Sequence, residues 1–291
     1  MVVQDADDIA AALDIAGLAG RIVLPDEDAR RAALDLVAET GGALGRLGEL
    51  AGWLAAVQGR SPAAPFERIR VVAAGAAPPE PVRELAGSGI RVVEVPETAN
   101  DAEAGFRAGL AAADAEVDAG ADLLVLTGGT AVVPASTLVA VLTSTDVASV
   151  VGHRPGEDDR DWMRTCAAVR DSARLGRPLS GEILKLLTAV EAAEAATAAG
   201  VVVEAAVRRT PVVLDDLVPA AAALVAQRIS YRTTRWLVAA HRTTDPAHSA
   251  ALERLRLTPL LDYGLASGTG VGALLAVPHL QAAASLLPTS T

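Results

Sequence analysis

Two glycine-rich loops are the first candidates for chemistry. Thr127-Gly128-Gly129-Thr130 follows an apolar run, and Ser267-Gly268-Thr269-Gly270-Val271-Gly272 leads into another. Loops of this kind offer hydroxyls and unhindered backbone N–H groups to an anion, above all where a helix begins. Neither matches a dinucleotide fingerprint or a P-loop, which ends on Gly-Lys-Ser/Thr. On pattern alone a tight turn and a helix cap are the plainer reading. Asp215-Asp216 follows the run PVVL. A carboxylate there suits ligand binding at a strand end, or equally a cap for a helix starting near Pro219. Of the four histidines, His241 and His248 flank HRTTDPAH. A metal pair would want ligands one helical turn apart and a further ligand close by, so capping or ordinary hydrogen bonding is the better expectation. Cys166 lies in a helical stretch and reads as a small packing residue.

The composition narrows the function classes. A net charge of −11 argues against nucleic acid, whose phosphates demand a basic face. With 51% hydrophobic but only 2% aromatic residues, the core must be built from Ala, Val and Leu. That suits helices laid on a parallel sheet. A lone cysteine excludes an internal disulfide and a cysteine-based zinc site. The acidic opening MVVQDADDIA lacks the basic start of a signal peptide, so the expected compartment is the cytoplasm. Leu123–Thr145 is uncharged and long enough to span a bilayer. However, Gly128, Gly129 and Pro134 divide it into a strand, a turn and a buried helix, and no membrane partner is expected.

These residues need elements to hold them. The first sixty positions read as helical, with amphipathic stretches at Asp26–Glu39 and Leu44–Val57 separated by Gly41-Gly42. SPAAP at 61–65 is the linker candidate. Beyond it, strands are expected at Ile69–Ala74, Gly89–Val95, Asp122–Leu126, Val147–Val151, Pro211–Leu214 and Trp236–Ala240. Helices are expected at Asn100–Ala119, Ala135–Leu142, Glu157–Ser172, Glu182–Arg208 with a possible break near Gly200, Pro219–Arg228, Pro246–Leu255 and from about Val271 to Leu287. The alternation predicts an α/β fold, a parallel sheet covered on both faces.

A longer resemblance runs through these residues. Gly42–Gly59 (GALGRLGELAGWLAAVQG), Gly105–Gly128, Thr210–Leu224 (TPVVLDDLVPAAAAL) and above all Val238–Ala284 resemble, in the same order, segments of the nicotinate-nucleotide:dimethylbenzimidazole phosphoribosyltransferase family. That family activates dimethylbenzimidazole for the lower ligand of cobamides. The resemblance implies a Rossmann-like α/β domain over residues 66–271. It also implies a small helical domain made from residues 1–62 and completed by 272–291. A homodimer, or a heterodimer with a family paralogue, is implied too, with a nucleotide or base as ligand and no cofactor or metal. It places Glu191 at the glutamate of the family's GGFE motif. The substrate-binding candidates are Gly128, Gly129, Thr130, Asp215, Ser267, Gly268, Thr269 and Gly270.

The departures fall at the chemistry. The family's LGEGTGA loop carries a glutamate taken as the general base, and Thr269 is aligned with it here, so no catalytic residue is assigned. The phosphate loop GEMGIGNTT is replaced by TGGTAVVPAST, a family lysine by Thr165, and its DHG motif is missing from 74–79. Losing a general base typically costs ~10²–10⁴-fold in rate. The expectation is therefore a silent or weak homologue acting as a binding protein or partner subunit. The alternative is an active phosphoribosyltransferase.

Overall fold

The computed structural model describes residues 13–41, 43–75, 84, 90–96, 98, 101–154, 156–266 and 270–287. Strands β1 (Ile69–Ala74), β2 (Arg91–Val95), β3 (Leu123–Thr127), β4 (Val212–Leu214) and β5 (Leu237–Ala239) form one sheet in the order β2-β1-β3-β4-β5. Every pairing in it is parallel. Side chains alternate between the two faces, as the pleat requires. Ile69, Val71, Leu123, Val125, Val213 and Val238 feed one apolar cluster, while Val72, Leu124, Leu126, Leu214 and Ala239 feed the other. Both faces are buried, which explains why these strands read as unbroken apolar runs.

The helices are α1 (Ile15–Arg21), α2 (Glu27–Glu39), α3 (Gly45–Gln58), α4 (Ala102–Asp118), α5 (Val132–Thr143) and α6 (Val147–Val150). Then follow α7 (Asp159–Gly176), α8 (Ile183–Ala189), α9 (Ala193–Val207), α10 (Leu217–Ile229), α11 (Pro246–Leu255) and α12 (Val271–Ser285). Aspartates start many of them. Asp26, Asp101, Asp158 and Asp245 each accept a backbone N–H from the first turn of the following helix. Helices α3 and α12 cover one face of the sheet, and α4, α5, α9 and α10 cover the other. No helix among the described residues is long and apolar enough to cross a membrane.

Three expectations need correction. Val147–Val151 is no strand: Val147–Val150 is a single helical turn behind Asp146, packed with Val147 and Val150 inward. Its β-branched composition is overridden by burial against neighbouring helices. The helical stretch at 182–208 breaks around Val190–Ala192, not at Gly200. A short parallel pair, β6 (His241–Thr243) with β7 (Leu261–Leu265), was not foreseen.

Gly200 has a packing role instead. Helices α4 and α9 approach until their backbones touch, through Gly105 and Gly109 on one side and Gly200 on the other. A Cβ on Gly109 would lie 2.0 Å from the Thr197 carbonyl oxygen, and one on Gly200 2.1 Å from that of Phe106. Backbone cannot give way as a side-chain tip can. Gly109→Ala and Gly200→Ala are each expected to cost about 2–3 kcal/mol by overpacking. Gly20→Ala, in α1 with open space around it, should be neutral or slightly stabilising. Urea unfolding checks this, and equal midpoints for all three variants would contradict the seam.

Candidate functional site

The strand order reverses between β1 and β3, because the chain leaves β1 toward β2 and then returns to the other side. In open parallel sheets the crevice beyond the carboxyl ends at such a point is where ligands sit. Here the ends of β3 and β4 and the residue that opens β6 meet around the start of α12.

Asp215, at the end of β4 and fully buried, holds this edge together. Its Oδ2 accepts Thr127 Oγ1–H at 3.2 Å and Gly270 N–H at 2.8 Å. Its Oδ1 accepts Ala273 N–H at 3.0 Å and lies 3.2 Å from His241 Nε2. A buried carboxylate survives only when its lone pairs are met, and the amino end of α12 adds its dipole. Asp215 therefore caps a helix, but α12 rather than the α10 that follows it. Asp216 occupies the N-cap position of α10 without a side-chain cap bond.

The turn after β3 is shaped by two glycines in the left-handed region, Gly128 (φ 97°) and Gly129 (φ 100°). A Cβ on Gly129 would lie 2.7 Å from the Val218 side chain. Thr130 is exposed, and its N–H donates to Glu194 Oε2 at 2.9 Å, as does Ala131 N–H at 3.0 Å. Glu194 stands at the start of α9. Its Oε1 lies 3.1 Å from where a Cβ would sit on Gly75, the residue after β1. One carboxylate thus spans the mouth of the β1–β3 crevice.

Of the sequence candidates, Gly128, Gly129, Thr130, Asp215 and Gly270 are brought to this edge. Ser267, Gly268 and Thr269 lie outside the described residues, as do positions 76–79. Laid without a gap over Leu265–Val271, the motif LGEGTGA sets its glutamate on Ser267, not Thr269. Glu191 is exposed at φ 54°, and the glutamate that reaches the crevice is Glu194, three residues on. The doubled glutamate in VEAAEAA was the available signal. Thr165 donates its hydroxyl within its own surroundings, to the Asp161 carbonyl at 3.2 Å and to Glu157 at 3.3 Å.

His241 packs so closely on α12 that a Cβ on Gly272 would fall 2.0 Å from its Cδ2. Its ring meets His248 edge-on, with centroids 6.1 Å apart. Both rings are fully buried. His248 Nδ1 faces Thr243 N–H at 3.2 Å and Thr243 Oγ1 at 3.0 Å, so the neutral ring carries its proton on Nε2. Burial, with His241 adding to it, pushes the His248 pKa down to about 3, against a smaller opposing pull from Asp215. Asp245, the α11 cap, is raised by burial despite its bond from Ala247 N–H. The Cys166 thiol is also pushed up by burial, the opposite of what a thiolate nucleophile needs. No metal-binding cluster occurs among the described residues.

Two outcomes follow. Asp215→Asn keeps the shape but turns one acceptor into a donor, set against the N–H of either Gly270 or Ala273, and should cost roughly 3 kcal/mol. Unfolding with unchanged stability would remove Asp215 from its central place. For His248 the folded pKa lies below the unfolded one, so its stabilising contribution is complete above the ordinary value near 6.5. It is lost as pH falls from there toward 3. The stability gap between the wild type and His248→Gln should therefore narrow by up to about 1.4 kcal/mol per pH unit below 6.5. A gap independent of pH between 7.5 and 4.5 would show that the ring protonates freely.

Comparison with known proteins agrees with this architecture. Residues 93–290 match a family model described as Phosphoribosyltransferase. The nicotinate-nucleotide–dimethylbenzimidazole phosphoribosyltransferase of Streptomyces avermitilis is 42% identical, over 84% of this chain and 81% of its own. That of Streptomyces coelicolor is 40% identical, over 86% and 87%. The crystal structure of the Thermus thermophilus protein of the same name superposes with a TM-score of 0.76 at 28% identity, covering 91% of this chain and 97% of its own. The chain belongs to the nicotinate-nucleotide–dimethylbenzimidazole phosphoribosyltransferase family.

Proposed function

We propose that this chain is a working phosphoribosyltransferase of cobamide lower-ligand activation, moving phosphoribose from nicotinate mononucleotide to a benzimidazole-type base. The observation that carries it is the crevice at the strand-order reversal, where a glycine loop, a helix start and the Glu194 carboxylate converge. Relatives named for this activity at about 40% identity over most of the chain support it over the silent reading.

In the reaction the base nitrogen bonds to C1′ of the ribose as the bond from C1′ to the nicotinate nitrogen breaks. The proton on the attacking base must leave, and no other reactant is needed. The Gly128 and Gly129 N–H groups and the Thr130 hydroxyl, with Ser267, Gly268 and Thr269, are the groups assigned to the nucleotide. The Thr130 and Gly270 N–H groups are committed to Glu194 and Asp215. The loop at 266–270 holds no carboxylate, whichever of its positions the family glutamate is set on. Glu194 is the carboxylate at the crevice that can take the proton, and Asp215 is a positioning residue that holds Thr127 and the start of α12. A dimer, with itself or a paralogue, belongs to the same proposal.

The empty carboxylate position in that loop is also what favours the partner-subunit reading, and one assay separates the two. Purified protein given nicotinate mononucleotide and dimethylbenzimidazole should form α-ribazole phosphate on the order of 1–10³ per second. Glu194→Gln should lower kcat by ~10²–10⁴-fold with little change in KM. No product from the protein alone, but product once an intact family member is added, would replace the enzyme reading by the partner one.

A further inference from the structure

At the amino end of the sheet, opposite the crevice, lies a second cleft of about 790 Å³. Its walls come from the segment before α2, from α3, from the ends of α10 and α11, and from the turn Tyr231–Trp236 leading into β5. Such a volume suits a small organic ligand. The floor is apolar, with Leu24, Pro25, Ala56, Leu237, Leu255 and Leu257.

The rim is basic in a chain of net charge −11. Arg30 is satisfied by Glu27 at 3.0 Å. Arg235, Arg254 and Arg256 also line the cleft, and among the described residues none of the three has an ion pair or side-chain hydrogen bond. Some arginines elsewhere end on carboxylates, as Arg70 on Glu116, Arg107 on Glu103 and Arg208 on Asp114 and Asp118, and others on backbone carbonyls, as Arg46 on Thr258 and Pro259. Helix dipoles explain only part of this. Arg254 sits in the last turn of α11, where a cation is favoured, but Arg256 lies beyond it at φ 57° and Arg235 precedes β5. Glu49, on the α3 wall, forms an ion pair with none of them. Four arginines and two carboxylates, Glu27 and Glu49, line the cleft, which leaves it net positive, and planar guanidinium forks match phosphate oxygens.

Two aromatic rings stand beside this charge. Trp53 is fixed by its Nε1–H, which donates to the Arg235 carbonyl at 3.1 Å, and Tyr231 is 66% exposed. The Arg232 guanidinium already lies 5.7 Å over the Tyr231 ring, which leaves the ring's other face and Trp53 for a planar ring carrying an anionic group.

We propose that this cleft is a second ligand site, separate from the crevice, that binds a nucleoside monophosphate through Arg235, Arg254 and Arg256 and stacks its ring at Trp53 and Tyr231. Calorimetry with adenosine 5′-monophosphate and with pyrophosphate, in metal-free buffer at low salt, tests it on the whole chain. The triple variant Arg235→Gln, Arg254→Gln, Arg256→Gln changes exposed side chains and leaves the fold and the crevice untouched. Saturable binding of the monophosphate that weakens at least tenfold in the triple variant is the expected result. No saturable binding up to millimolar ligand, or equal affinity in the triple variant, would overturn the site. Pyrophosphate binding as tightly as the monophosphate would overturn the role of the rings.

Discussion

A carboxylate with no access to water sets the terms for this molecule's ligand-facing edge. Asp215 loses its hydration on folding, a cost that an isolated charge in apolar surroundings cannot bear. Its position is tenable because a strand end, a histidine and the start of a helix all point donors at it. Each of those elements is constrained in return. The α12 helix begins where Gly270 and Ala273 can reach the carboxylate, His241 is pinned flat against Gly272, and Thr127 ends its strand facing inward. The loops are thus ordered around a buried charge before any ligand is considered.

Much of the scaffold was legible because it obeys local rules. The core strands are buried on both faces, so apolar runs of Val and Leu announced β1, β3, β4 and β5. The helices α2, α4, α7 and α11 were read from their spacing, and the aspartates that cap them in the structure agree with those starts to within one or two residues. What failed was governed by partners distant in sequence. Val147–Val150 carries strand-type residues, yet a single turn fits the space beside α5 and α11. Gly200 resembles a helix break, but its missing side chain admits the backbone of α4. The pair β6–β7 is too short to leave a pattern.

The site was legible in its loops and not in its charges. Glycines at 128 and 129 identified a turn that only positive φ permits. The role of Asp215 depends on backbone N–H groups 55 and 58 residues away, which no side-chain motif records. Glu194 was hidden for a related reason. It enters the crevice from a helix start rather than from a strand-end loop, and its recognised donors are again backbone groups. Attention to a missing glutamate in one loop passed over Glu194 at the crevice.

The separations along the chain around Asp215 also bear on how the molecule is made. Its partners lie 88 residues before it and 26, 55 and 58 residues after it. Every one of these contacts closes a long loop, whereas the alanine-rich helices consist of near-neighbour bonds. Loop closure of that span is entropically expensive, and contacts of high sequence separation slow folding. On the ribosome, the carboxylate emerges well before the α12 amides that neutralise it. The nascent chain must keep Asp215 wet until α12 has left the exit tunnel, so the strands made before it can pair while the ligand edge is still incomplete.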